Sequence, residues 1–161
     1  MEEKAGKPYQ AKLNLPPYEF RLEDAGNGKW YIFDPLRKKN LLLTPEEWVR
    51  QHLVQYLVGH LNYPKSLIAL ERGLTYNALQ KRFDILVLNR EGGAFFLIEC
   101  KAPGVPLSQK TIEQVGVYNQ QIKAPFLGIS NGQKHICVKR DKQSGNYQQI
   151  NHFPVFAGTG M

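Results

Sequence analysis

Asp84, Glu99 and Lys101 are the residues of this chain whose types and spacing could do chemistry. They lie in the stretch Arg82 to Pro103, which reads Arg-Phe-Asp-Ile-Leu-Val-Leu-Asn-Arg-Glu-Gly-Gly-Ala-Phe-Phe-Leu-Ile-Glu-Cys-Lys-Ala-Pro. Carboxylates joined by a backbone carbonyl, here that of Cys100, are hard oxygen donors suited to Mg2+ or Mn2+. A divalent cation held by them activates water and stabilises charge on a phosphate in transfer. An adjacent lysine positions the water or neutralises the developing negative charge. The chemistry this set suggests is metal-assisted hydrolysis of a phosphate ester.

Those side chains must be brought together by a hairpin. Two β-rich runs, Phe83–Leu88 and Ala94–Lys101, flank the turn cluster Asn89–Gly93, which is the pattern of paired antiparallel strands. A loop centred between Glu91 and Gly92 sets Asp84 across from Glu99. A loop centred between Gly92 and Gly93 sets it across from Lys101. Either way the period of two places Asp84, Glu99 and Lys101 on one face, and Cys100 points the other way into an apolar layer. Only an odd-length loop would send Asp84 to the opposite face. Opposed carboxylates have Cβ atoms about 5 Å apart and repel, so a cation or Lys101 must compensate. The plain alternative is an exposed strand carrying a Glu–Lys pair.

The arrangement resembles the PD-(D/E)xK nuclease superfamily, whose signature is an acidic residue at a strand start, a hairpin, then Glu-x-Lys. Over Tyr18 to Phe153 the chain is similar to the N-terminal domain of type I restriction enzyme R proteins. The Arg82-Phe83-Asp84 opening and the Ile98-Glu99-Cys100-Lys101-Ala102-Pro103 ending carry that likeness, with Phe83 where the superfamily name has proline. The resemblance implies an α/β restriction-endonuclease-like core, a mixed central β-sheet flanked by helices. It implies a Mg2+- or Mn2+-dependent deoxyribonuclease with Asp84, Glu99 and Lys101 as catalytic residues. DNA is the implied partner, with motor or specificity subunits supplied in trans and a homodimer as one route to double-strand cleavage. A non-catalytic nucleic-acid-binding or partner-docking module that keeps the fold is the competing reading.

Two helices enter the same argument. Thr44-Pro45-Glu46-Glu47 opens the first, predicted over residues 45–61, with an N-cap threonine, proline at the first position and glutamate three after the cap. Trp48, Val49, Leu53, Tyr56, Leu57 and Leu61 recur at helical spacing and should face the core. Glu47 has two readings: the capping-box glutamate, or, by the family resemblance, a glutamate beside the metal. Ser108 caps the second helix, predicted over 109–123, with Ile112, Val115, Tyr118 and Ile122 on one side. By resemblance Gln114 and Tyr118 match a Gln…Tyr pair near nucleic acid; alternatively Tyr118 is core and Gln114 solvated.

Around these, Tyr18–Glu23 and Trp30–Asp34 read as strands about a Gly26-Asn27-Gly28 turn. Leu67–Leu74 reads as one short strand, with Glu71 an edge residue or salt-bridge partner, or else near the site, and Thr75–Arg82 as a polar connection. Lys81 and Arg82 lead straight into Asp84 and are candidate phosphate contacts, whereas Arg37-Lys38-Lys39 reads as a solvated loop, with a phosphate contact as the lesser alternative. Phe126–Ser130 should run parallel to Ala94–Lys101 through a helical crossover. Asn131-Gly132 turns it back into Lys134–Arg140, and Tyr147–Phe153 reads as an edge strand. His52, His60, His135 and His152 have no ligand spacing.

The 161 residues, 42% of them hydrophobic, suit one domain with a real core. Residues 1–17, with Pro8, Pro16 and Pro17, read as a flexible N-terminal tail, and 18–161 as the domain. No apolar run is long enough to span a membrane, and the opening Met-Glu-Glu-Lys is not that of a signal peptide. Two cysteines fit a reducing, cytoplasmic setting. The net charge of +7, from 21 basic and 14 acidic residues, favours a polyanionic partner. No phosphate-binding Gly-Lys-Ser/Thr loop, zinc spacing or Gly-x-Ser-x-Gly elbow occurs, so any motor must lie on another polypeptide or segment.

Overall fold

The computed structural model describes residues 6–70, 73–76 and 79–156, with the side chains of 71–82 left out of the description. Glu71 and the side chains of Lys81 and Arg82 therefore lie outside the described residues. The chain begins with a small antiparallel sheet of β1 (Leu22–Gly26), β2 (Lys29–Asp34) and β3 (Lys39–Leu42). Helix α1 (Pro45–His60) follows, then a 3-10 turn, Lys65–Leu67, and β4 (Ile68–Leu70). Strands β5 (Gly73–Tyr76) and β6 (Leu79–Arg82) pair as a separate two-stranded sheet. After them come β7 (Ile85–Leu88), β8 (Ala94–Cys100), helix α2 (Gln109–Ile122), β9 (Phe126–Ser130), β10 (His135–Arg140) and β11 (Tyr147–Ile150). The main sheet has six strands in the order β11-β10-β9-β8-β7-β4. The β8–β9 pair is parallel, and the other pairs of that sheet are antiparallel. The architecture is mixed α/β.

Both faces of the main sheet are covered, which is why its strands read as nearly continuous apolar runs. Along β8 the side chains alternate between layers. Phe96, Ile98 and Cys100 pack with Val49, Leu53 and Leu57 of α1, together with Ile85 and Val87. Leu97 joins Leu86, Leu127, Ile129 and Val115 of α2 on the other side. Cys100 is thus directed into the α1 layer, fully buried, and Glu99 is on the α2 side. A Cβ at Gly128 would come within 2.9 Å of the Phe96 ring and 3.3 Å of that of Phe153, so β9 needs a glycine where those rings close on it.

Several expected boundaries move, each for a local reason. Strand β7 starts at Ile85 rather than Phe83, because Asp84 forms a bend. The run Leu67–Leu74 is not one strand: a 3-10 turn precedes β4, and Gly73 already belongs to β5. The supposed polar connection holds β5 and β6, paired from Gly73↔Arg82 to Tyr76↔Leu79. Lys39 is the first residue of β3 rather than part of a solvated loop. Asp34 and Pro35 open a tight return from β2 into β3: Asp34 Oδ1 accepts from the Leu36 and Arg37 amides at 2.8 and 2.9 Å, and Lys38 takes the left-handed conformation.

The expected tail is in part an attached arm. Over residues 6–15 the chain is tied to the domain, Trp30 Nε1 donating to the Gly6 carbonyl at 2.9 Å and Trp48 Nε1 to that of Ala11 at 2.8 Å. The Asn14 amide donates to the Gly132 carbonyl at 2.8 Å, and His135 Nε2 bonds the Asn14 carbonyl at 2.9 Å. Leu13 packs over Gly132, where φ is +84° and a Cβ would meet its Cδ2 at 2.6 Å. His52, which has no ligand spacing in the sequence, is buried on α1 with its ring packed against Phe20 and Trp48. Burial pulls its imidazole below the ordinary histidine range. Among the described residues no helix is long and apolar enough to cross a membrane.

Candidate active site

The β7–β8 hairpin has the even-loop register, Ile85↔Ile98, Leu86↔Leu97 and Val87↔Phe96, with a bulge before Leu88↔Ala94. Asn89 builds the turn: its Oδ1 accepts from the Glu91 and Gly93 amides at 3.1 and 2.8 Å, and Gly92 has φ +88°. Continued by one residue, that register sets Asp84 across from Glu99. Because Asp84 is in a bend, its side chain is oriented by hydrogen bonds rather than by the strand ladder. Its Oδ2 accepts from the Cys100 amide at 2.7 Å and its Oδ1 from Arg50 Nη2 at 2.8 Å.

Glu99 and Lys101 project to one side, as strand alternation requires. Lys101 Nζ is 3.5 Å from Glu99 Oε1, both side chains about one-third exposed. The Lys101 backbone is pinned to β9 by its amide, 2.8 Å from the Ser130 carbonyl. Burial pushes the Glu99 carboxyl up to about 7; the Asp84 charge adds to this and Lys101 opposes it. Buried Cys100 has a thiol held well above its usual range, first by burial and then by the Asp84 charge. That thiol is an inert packing group, and what the position can offer a cation is its carbonyl.

Glu47 completes the cap on one atom and does something else with its others. Its backbone amide donates to Thr44 Oγ1 at 3.0 Å, as the N-cap reading requires. Its carboxylate is buried and accepts from Gln51 Nε2 at 2.8 Å, Arg37 Nη2 at 3.4 Å and, at Oε2, Arg50 Nη1. Arg50 joins it to Asp84, so Glu47 stands one residue removed from the motif. Arg37 Nε in turn donates to Asp34 Oδ2 at 2.6 Å, and Gln51 Nε2 reaches the same oxygen at 3.1 Å. Burial alone would raise the Asp34 carboxyl, but the Arg37 and Gln51 hydrogen bonds outweigh it and lower it.

Arg50, Gln51 and Asp34 carry almost no sequence signal for this role, and Arg37, expected in a solvated loop, is instead mostly buried and paired with Asp34 and Glu47. The one local signal is spacing: Glu47, Arg50 and Gln51 stand at i, i+3 and i+4 and must share a helix side. Gln114 and Tyr118 are both exposed on α2. Tyr118 is therefore not a core residue, and the buried α2 positions are Val115 and Asn119. Asn119 closes the helix by clasping Ala124, accepting from its amide and donating to its carbonyl, each at 2.8 Å.

The donor set at Asp84 and Glu99 fits a hard divalent cation in kind. Two neighbouring carboxylates, one with its pKa raised partly by the other, form a place where positive charge is wanted. Among the described residues no group of three or more His, Cys, Asp or Glu side chains could hold a metal. The protein would supply two carboxylates and the Cys100 carbonyl and leave other positions to water and phosphate, an arrangement Mg2+ commonly accepts.

Residues 45–154, more than half of the chain, match the family described as type I restriction enzyme R protein N terminus (HSDR_N). Among curated proteins none matches. Among solved structures the chain is similar to a fragment from Vibrio vulnificus YJ016 described as an HsdR subunit of a type I restriction enzyme. The TM-score is 0.51 and the identity 20%, over 70% of this chain and 24% of that one. At that identity the likeness speaks for the fold, and this chain spans about a quarter of its neighbour's length. The protein belongs to the type I restriction enzyme R protein N-terminal family.

Proposed function

We propose that the chain is a restriction-endonuclease-like, metal-dependent nuclease that hydrolyses phosphodiester bonds of nucleic acid, with DNA as the substrate its family favours. The observation that carries this reading is the convergence of Asp84 and Glu99 at the open end of the β7–β8 hairpin, with Lys101 3.5 Å from Glu99. Asp84, Glu99 and the Cys100 carbonyl would hold Mg2+ or Mn2+. Bound there, the cation supplies an activated water and charge neutralisation at phosphate. Lys101, a point charge on a flexible stem, stabilises the negative charge that develops on the phosphate oxygens. Glu99, whose carboxyl is raised to about 7, would serve as a ligand in its ionised form, its proton passing to solvent. Gln114 and Tyr118, exposed on the helix that follows β8, are placed in this reading as nucleic-acid contacts, and Lys81 and Arg82 as phosphate contacts.

A second reading has one observation in its favour. Both Asp84 oxygens already have donors, Arg50 and the Cys100 amide, as in a module that binds nucleic acid or a restriction-system subunit without cutting. Plasmid incubated with the protein and Mg2+ or Mn2+ separates the two. The nuclease reading requires cleavage that is abolished by chelator and nearly abolished in Lys101→Ala. Wild-type protein that retards DNA but never cuts single- or double-stranded DNA or RNA would establish the binding module instead.

A further inference from the structure

Asp84 is gripped from the helix behind it. Arg50 of α1 spreads its guanidinium between two carboxylates, Nη1 on Glu47 and Nη2 on Asp84 at 2.8 Å. Glu47 is also held by Arg37, and Arg37 by Asp34 at the end of β2. Charge alternates along this line, Asp34, Arg37, Glu47, Arg50, Asp84, and Asp34, Glu47 and Arg50 are buried. A planar, permanently charged fork fixed at one prong orients whatever sits on the other. Asp84 needs such help, since it stands in a bend ahead of β7. The same contact puts a resident positive charge on Asp84 Oδ1, in competition with any other cation for that carboxylate.

We infer that Arg50 is a positioning residue for Asp84, holding its carboxylate in the orientation that serves Glu99 while its charge moderates how tightly a divalent cation binds. The inference rests on the reading of Asp84 and Glu99 as metal ligands. It has a signature that a purely structural arginine lacks: removing the charge should tighten metal binding and slow the reaction at once.

The test is calorimetric titration of Mn2+ into the full chain, with plasmid cleavage at saturating Mn2+, for wild type, Arg50→Met and Arg50→Lys. In Arg50→Met, Glu47 keeps Arg37 and Gln51, and Mn2+ affinity should rise roughly tenfold as the competing cation goes. The saturated rate should fall by about tenfold or more as Asp84 loses its alignment. In Arg50→Lys the charge stays and affinity should remain within about threefold of wild type. Its rate should still fall, because an ammonium does not reproduce the two-pronged geometry. Unchanged Mn2+ affinity in folded Arg50→Met, or an unchanged saturated rate in either variant, overturns the inference. If Arg50→Met does not give a cooperative melt, the rate of Arg50→Lys decides alone. Wild type that binds Mn2+ but never cuts refutes the nuclease reading, and the affinity comparison then decides the role of Arg50. Wild type that binds no Mn2+ overturns both.

Discussion

Asp84 stands across the open end of the β7–β8 hairpin from Glu99, and its charge helps hold the Glu99 carboxyl at about 7. A neighbouring negative charge disfavours ionisation of a carboxyl, on top of the larger effect of burial. The consequence for folding has a definite sign. Glu99 is protonated more readily in the folded protein than in the unfolded chain, so its contribution to stability is fully present below pH 4.5. It is lost as pH rises from there through about 7. Metal-free protein should therefore weaken over that window by roughly 1–3 kcal/mol from this group. Glu99→Gln should flatten that part of the profile. Urea unfolding at a series of pH values measures it, and identical profiles for the two proteins would refute the coupling.

Divalent cation should reverse that loss. Bound to ionised Glu99 and Asp84, it stabilises the folded state by about 2.7 kcal/mol at a hundred times its dissociation constant. Because protons compete for Glu99, Mn2+ affinity should climb with pH up to about 7 and level off above it. Thermal melts with and without Mn2+ at pH 6 and pH 8 test this; a larger stabilisation at pH 6 would contradict it.

Asp84→Asn acts on two balances. It removes one of two neighbouring negative charges, a gain, but takes from Arg50 a charge-assisted partner at 2.8 Å and weakens the bond from the Cys100 amide. Charge-assisted bonds of this kind are worth about 1.5–3 kcal/mol, so the metal-free variant should be less stable than wild type, and its response to Mn2+ should be lost. Lys101→Ala should behave differently. Lysine is no metal ligand, so the Mn2+-induced shift should persist, while cleavage falls by about 10²–10³. Melting curves and plasmid assays on both variants distinguish failure at metal from failure at chemistry.

Much of this arrangement was legible because it is local. The turn residues Asn89–Gly93 mark the hairpin, but they allow two registers, and it is the bulge between Val87 and Leu88 that selects the one continuing Asp84 toward Glu99. Thr44 and Ser108 announce α1 and α2 through their own side chains, and Phe126–Ser130 is recognisable from its apolar run between Pro125 and Asn131-Gly132. What escaped is long-range or carried by polar sequence. Strand β3 reads Lys-Asn-Leu-Leu, which has no alternation to betray it. Arg50 meets Asp84 across 34 residues, and nothing in either neighbourhood encodes the meeting. The arm over residues 6–15 looks like a tail because its partners, Trp30, Trp48, Gly132 and His135, are scattered through the chain.

Nucleic-acid affinity should fall with salt at a log–log slope of about −0.9 per phosphate neutralised on B-DNA, since bound cations are released. The net charge of +7 makes a measurable slope the expected outcome. Replacing Lys81 and Arg82 together by Gln should weaken binding and reduce the slope by roughly 1–2. Fluorescence anisotropy across a salt series reads both, and a flat dependence would exclude direct contact with the backbone.

Glu47 allows the helix cap and the ion-pair line to be separated. Thr44→Ala removes the oxygen that accepts the Glu47 amide at 3.0 Å and should cost about 1 kcal/mol. It touches none of the charged groups, so Mn2+ binding and cleavage should stay as in wild type. Glu47→Gln keeps that backbone bond and can still accept at one oxygen, yet it removes the negative charge between Arg37 and Arg50. Two guanidinium groups are then left to share Asp34 and Asp84. Breaking a buried pair in this way costs up to about 3–5 kcal/mol, so Glu47→Gln should be distinctly less stable than Thr44→Ala. It should also disturb the site, because Arg50, released from Glu47, bears more fully on Asp84 and competes harder with metal. The expected pattern is a weaker Mn2+ response in Glu47→Gln beside an intact one in Thr44→Ala, measured by calorimetry on both proteins. Equal stability losses with equal Mn2+ affinities would leave Glu47 a helix cap and nothing more.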